Sequence, residues 1–256
     1  MCIRDRQAID VGLLTLPFVA GLLVLITHVP LGAQVLQRGI VFADLAIAQI
    51  AGLGVVASSA MGLPTDSWLT QIVAIASALL GAVILRWTEK NTPEQQEALI
   101  GVLFVLAATA TIILVSHNPH GGENLQNLLG GQILWVDTMQ IKALAVVSVL
   151  VMYGLKKKWD QSNHRYSFYF LFSIAVTASV QLVGIYLVFA SLIIPALATR
   201  HLTNKKYWSL FFGALGYASG LIVSALFDLP SGAVIVWALV ICSLIGHQFI
   251  RTKSTA

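Results

Sequence analysis

The sequence predicts an all-α polytopic membrane protein, a single helical bundle of about nine transmembrane spans, with eight as the alternative count. Three observations carry this. The 256-residue chain is 57% hydrophobic and only 10% charged, with a mean hydropathy of +0.84, which excludes an ordinary water-soluble domain. Its apolar runs approach the roughly 20 residues that a helix needs to cross the hydrocarbon. The polar breaks between them carry basic residues in alternation.

The opening hexapeptide MCIRDR packs three charges in front of the first apolar run, is unlike the apolar chain behind it, and reads as a non-native scar, with a short native polar terminus as the alternative. Residues 1–10 are therefore set apart as a terminal segment, residues 11–251 are taken as one transmembrane domain, and 252–256 as a tail. The first span runs from Val11 to about Val35, and the second from Ile40 to about Met61. GLPTDS turns the chain into a third, Trp68 to Leu85, closed by Arg86. The polar stretch TEKNTPEQQ precedes a fourth, Ala98 to Ser116. HNPHGGENLQNLLGGQ comes next and is too polar to face lipid; Asn118-Pro119 and Gly121-Gly122 argue against a regular helix there. A fifth span ends in Lys156-Lys157-Lys158. From Phe168 to Thr199 the apolar stretch holds two helices if a tight turn falls between Gln181 and Gly184. The last two spans are Tyr207 to Phe227 and Ser231 to Ile250, separated by DLPSG.

Lys and Arg stay on the cytoplasmic side of a membrane protein. One assignment places Arg38, Arg86, Lys90, Lys156, Lys157, Lys158, Arg165, Arg200, Lys205, Lys206, Arg251 and Lys253 all inside, with the N-terminus outside and the C-terminus in the cytoplasm. It gathers Asp66, Glu123, Asp137 and Asp228 outside, where acidic groups at a channel mouth raise the local cation concentration. Cys2 and Cys242 lie at opposite ends and supply neither a disulfide framework nor a metal-thiolate spacing.

Asp44 is the first functional candidate, because a carboxylate within an apolar span costs several kcal/mol unless it faces protein, water or a cation. Its oxygens are hard donors suited to Mn²⁺ or Fe²⁺ and acceptable to Zn²⁺. The competing role is assembly, through protonation or an interhelical hydrogen bond. Gln49, one residue past Ala48 and so about 100 degrees around an ideal helix from it, adds a neutral amide oxygen, and Asp228 lies at the outer mouth. In the outer loop, His117, His120 and Glu123 form H-x-x-H-x-x-E, a metal-binding combination if the loop brings them together. His28, near Pro30, could join a core site or bond across helices. Pro195 and its small neighbours read as packing devices.

Four stretches carry a resemblance: PLGAQVLQRGIVFADLAIAQ (30–49), EALIGVLFVLAATATIILVS (97–116) with the later NLLGGQIL, LVGIYLVFASLIIPALATRHL (182–202) and VSALFDLPSGAVIV (223–236). In this order they resemble the metal-ion permeases of ABC importers, the zinc, manganese and iron uptake family. The resemblance implies a membrane channel subunit, homodimeric, in the inner (plasma) membrane, with a divalent metal ion as substrate and no permanently bound cofactor. It implies an extracytoplasmic metal-binding protein and a cytoplasmic ATP-binding subunit as partners, with no nucleic acid and no enzymatic activity in this chain. The sequence has no GxxxxGK[ST] phosphate loop, so ATP hydrolysis belongs on another polypeptide.

The chain departs from the family pattern twice. The family's His four residues after the Asp is here Ala48, and the cytoplasmic segment KKKWDQSNHRYS is short. The candidate handles for the ATPase are Trp159 and Asp160 in that segment, and Tyr207 and Trp208 in RHLTNKKYW. The alternative function is a membrane protein of the same bundle uncoupled from any ATPase, a secondary transporter or an assembly factor.

Overall fold

A computed structural model describes residues 11–64, 67–116, 121–156, 164–202 and 204–254. The described chain is built from helices: α1 (Val11–Arg38), α2 (Ala43–Ala60), α3 (Trp68–Asn91), α4 (Gln96–Val115), α5 (Gly121–Gly130), α6 (Thr138–Lys156), α7 (His164–Val183), α8 (Ile185–Ala198), α9 (Lys205–Phe227) and α10 (Ser231–Ser254), with single 3-10 turns at Pro93–Gln95 and Ile133–Trp135. Lipid leaves no other choice, since a helix satisfies its own backbone without water. Among the described residues, six helices (α1, α2, α3, α4, α6 and α9) are long and apolar enough to cross a membrane, and α7, α8 and α10 contribute shorter apolar segments. The protein is a polytopic all-α membrane protein.

Glycine sets the distance between neighbouring helices. A Cβ at Gly21 would run into the Tyr217 ring and one at Gly213 would fall 2.7 Å from Leu25, so α1 and α9 lie in close antiparallel contact. Gly216 against Leu239 and Gly220 against Ile235 join α9 to α10 in the same way, while Gly54 against Ser77 and Gly81 against Ile50 join α2 to α3. Without a hydrophobic force between helices in lipid, such close approach supplies the association energy by dispersion. Outward-facing residues such as Val83, Val105, Leu106, Ile113 and Val149 are large, apolar and exposed, as a lipid-facing surface requires.

Three expectations need correction. α3 does not close at Arg86 but continues to Asn91, bringing Glu89 onto the arginines. The break between α7 and α8 falls at Gly184 as expected, but the 14 residues of α8 amount to about 21 Å at 1.5 Å per residue, short of the roughly 30 Å of a hydrocarbon core. Nine apolar helices are present among the described residues; nine full crossings are not. The polar outer segment contains a helix, α5, despite its glycines. Leu128 and Leu129 pack on the core, with Leu128 filling the space over Gly52, and this burial offsets the poor propensity of the sequence.

After α5 the chain turns into the bundle. Gly131 (φ 70°) and Gly184 (φ 81°) meet backbone to backbone. Gln132 N–H donates to the Leu182 carbonyl over 3.3 Å, which satisfies one acceptor at the broken end of α7. Gly232 closes on the Gly130 carbonyl from the α10 side. One loop thus ties together the ends of α7, α8 and α10.

Gly131→Ala tests this junction, because the added methyl runs into the Val183 and Gly184 backbone and also suffers the left-handed backbone cost of about 1–2 kcal/mol. Gly62→Ala is the control: Gly62 has φ 85° but nothing within 4 Å of the added Cβ. Thermal unfolding of the detergent-purified protein should show a clearly larger loss for Gly131→Ala than for Gly62→Ala. Equal losses would mean that the junction yields.

Candidate functional site

Gly39, at φ 72°, ends α1 and reverses the chain, and α2 begins four residues later. This puts Asp44 in the first turn of α2, where the positive end of the helix dipole favours an anion. The residue is 1% exposed, and among the described residues no side chain hydrogen-bonds either carboxylate oxygen; only the backbone of Asp44 and Leu45 acts on it. Ala43, Ala46, Ile47 and Ala48 around it are buried and apolar. Ala48, one turn on, offers a methyl where a second ligand would stand. Gln49 is 5% exposed with its Oε1 also unpartnered among those residues.

A charged and aromatic collar closes the same end of the bundle. Arg86 pairs with Glu89 at 3.1 Å and Arg38 with Glu89 at 3.9 Å, while the Arg38 guanidinium sits 4.1 Å over the Phe168 ring. Gln96 Nε2 donates to the Tyr169 hydroxyl over 3.0 Å, and Phe42 N–H donates to Glu97 Oε1 over 3.2 Å. These contacts fix the ends of α1, α3, α4 and α7 around the start of α2. The antiparallel pairing of α1 with α9 brings Asn204, Lys205 and Lys206 to this end and carries Asp228 to the opposite one.

Asp228 itself has a structural reason to be there. It is the left-handed C-cap of α9 (φ 54°), a conformation that Asp tolerates better than most residues, and the turn is closed by Ser224 Oγ donating to the Leu229 carbonyl over 2.7 Å. Trp208 stacks on Phe212 at 5.6 Å, and Phe212 in turn fills the space over Gly246; Tyr207 is exposed. Glu123 is the third residue of α5. His117, His120, Trp159, Asp160 and Asp66 lie outside the described residues. Among the described residues no three His, Cys, Asp or Glu side chains gather as a metal-holding group.

Thr177 and Ser179, both buried, and the half-buried Gln181 are polar residues that no motif singles out. Most serines and threonines within the helices return their hydroxyl to a carbonyl three or four residues back, as Ser148, Ser173 and Thr111 do. Thr177 and Ser179 are 1% exposed and have no hydrogen-bond partner among the described residues, nor has Gln181 Nε2. The run TASVQ inside an apolar helix is the one signal of them in the sequence.

The family model described as the ABC 3 transport family matches residues 11–161 and 160–250. The manganese transport system membrane protein MntC of Halalkalibacterium halodurans is 27% identical over 254 residues, covering 90% of this chain and 85% of its own. The high-affinity zinc uptake system membrane protein ZnuB of Haemophilus influenzae is 22% identical, with 87% of this chain and 90% of its own covered. The chelated iron transport system membrane protein YfeC of Yersinia pestis is 26% identical over 72% of this chain and 68% of its own. A solved structure, PsaBC from Streptococcus pneumoniae in complex with Fab, superposes with a TM-score of 0.74 at 23% identity, over 94% of this chain and 95% of that one, and so shares the fold.

The collar makes a stability prediction. Glu89→Gln leaves the Arg38 and Arg86 guanidiniums without their shared carboxylate and should cost about 1–2 kcal/mol, a value discounted for partial exposure. Chemical denaturation of the purified protein measures it; no change would make the collar incidental.

Proposed function

The chain belongs to the ABC 3 transport family, and from this premise we propose that it is the membrane-spanning permease subunit of an ABC importer for divalent metal ions, the class to which manganese, zinc and iron belong. The observation that carries the site is Asp44, buried and without a side-chain partner for either oxygen among the described residues. An anion in that setting is stabilised by a bound cation, whose charge offsets the desolvation of the carboxylate. A site without three gathered acidic or imidazole ligands among the described residues holds an ion weakly enough to release it, as passage requires.

ATP hydrolysis is assigned to a separate polypeptide, since the sequence lacks a phosphate loop. The ATP-binding subunit grips the basic end of the bundle, where Arg38, Arg86, Lys90, Lys205 and Lys206 are placed together with the aromatic pair Tyr207 and Trp208. That end faces the cytoplasm by the basic-residue rule. The Asp228 end then faces outward, toward an extracytoplasmic metal-binding protein. The permease works as a homodimer, and the metal is cargo rather than a resident cofactor.

Asp44→Asn keeps the shape of the side chain and deletes its charge. Metal accumulation in cells that depend on this permease should fall to background, with the protein still present in the membrane. Undiminished accumulation would return Asp44 to a packing role. The orientation has its own test: cysteines at Glu94 and Asn204 should react with an impermeant label only from the cytoplasmic side, and one at Asp228 only from outside. Labelling of all three from one face would overturn the arrangement.

A further inference from the structure

The helix that carries Asp44 does not cap itself. Phe42 is the N-cap of α2, and its side chain has no oxygen to offer the first amides of the helix. A common device secures the N-cap amide with a Glu or Gln three residues on, whose side chain reaches back to it. That position in α2 is Leu45, and Asp44 is the one acidic residue of the helix. The bond comes from another helix instead. Glu97, in the first turn of α4, accepts the Phe42 N–H through Oε1 over 3.2 Å, across 55 residues of sequence.

Neighbouring contacts hold this clasp in place. Gln96, beside Glu97 and buried, donates to the Tyr169 hydroxyl of α7 over 3.0 Å, so the head of α4 is itself anchored. The Phe42 ring stacks on Phe189 of α8, with centroids 6.4 Å apart and planes within 7°. Gly39, where α1 gives way to the turn, has φ 72° and nothing within 4 Å of an added Cβ, so the reversal is not packed in place at that point. Contacts from α4 and α8 therefore set the first turn of α2. That turn in turn holds the carboxylate: no side chain among the described residues bonds Asp44, and the backbone of Asp44 and Leu45 acts on it. Both amides lie within three residues of Phe42, so a shift of the N-cap moves them and re-aims the carboxylate. Without Glu97 the Phe42 N–H would also lack its acceptor, and Asp44 is the nearest acid in the sequence.

We infer that Glu97 is a positioning residue for the ion-holding carboxylate: by clasping the N-cap amide of α2 from α4, it frees Asp44 from capping its own helix and keeps the Asp44 oxygens directed at the ion. Glu97 acts through the hydrogen bond and its reach, not through contact with the ion. An amide oxygen accepts an N–H as a carboxylate oxygen does, so the role survives loss of the charge but not loss of length. The second oxygen of Glu97, Oε2, is buried without a partner among the described residues. Direct contact between that oxygen and the ion is the rival role, and the two make opposite demands on the side chain.

This inference rests on the permease reading, and one experiment separates the two. Initial rates of uptake of radioactive manganese and of radioactive zinc are measured over a concentration series in cells lacking other routes. The variants are Asp44→Asn, Glu97→Ala, Glu97→Gln and Glu97→Asp beside the wild type, with rates normalised to membrane abundance by immunoblot. Glu97→Ala and Glu97→Asp, which remove or shorten the acceptor, should raise the half-saturating metal concentration by about fivefold, as loss of one hydrogen bond implies. Glu97→Gln keeps the acceptor and should stay within about twofold of the wild type. A loss in Glu97→Gln equal to or greater than that in Glu97→Asp puts the charge on the ion and overturns the positioning role. An unchanged half-saturating concentration in Glu97→Ala makes the clasp a packing contact and overturns it too, with the permease reading left standing. If Glu97→Ala fails to reach the membrane, Glu97→Asp decides, and an unchanged value there overturns the inference. Full uptake in Asp44→Asn strikes Asp44 and whatever positions it, and a wild type that carries neither metal overturns the permease reading as well.

Discussion

A hydrocarbon solvent offers no hydrogen bonds, and the arrangement at Gly184 is a direct result. Where α7 stops, its last carbonyls have no helical partner, and lipid cannot supply one. The protein answers with its own backbone: Gln132 N–H reaches the Leu182 carbonyl, and the reach is possible only because Gly131 and Gly184 carry no side chains. A short helix such as α8 can then begin inside the bundle. Its short length in turn sets Pro195 and Thr199 against α9, where their carbonyl and hydroxyl meet Ser209.

Polar groups elsewhere divide into two populations. One is satisfied and holds helices together, as in the Arg38–Glu89–Arg86 collar, the Gln96–Tyr169 pair and the Ser191–Tyr217 pair. The other is buried and left open among the described residues: Asp44, Gln49, Nε2 of His28, Thr177 and Ser179. In a medium where an open polar group costs energy, the second population is kept at a cost that the first does not carry.

The helix count was legible because apolar runs and basic breaks alternate over the whole chain, and the break near Gly184 was legible from its glycine. The special standing of Asp44 was legible from one charge in an apolar run. What escaped was anything decided by packing. The helix α5 forms on the strength of Leu128 resting over Gly52, a contact between segments more than seventy residues apart that no local propensity reports. The extension of α3 to Asn91 depends on Glu89 finding Arg38 on another helix. Asp228 is singled out in the sequence by charge alone, which does not report that it is also the left-handed cap of α9. The orphan polar groups of α7 left only the run TASVQ as a trace, because serine and threonine in helices commonly satisfy themselves on the preceding turn.

The placement of α1 has a consequence for biosynthesis. It emerges from the ribosome well before its partners, because its glycine-lined stripe packs on α8 and α9, which lie more than a hundred residues further along the chain. Until then the first helix waits in the bilayer, its small residues and imidazole covered only by lipid or by the insertion machinery. Its assembly is therefore a late, long-range event rather than a stepwise accretion of hairpins. A nascent chain interrupted before α8 would leave the glycine stripe of α1 without the helices it packs on, a target for cellular quality control.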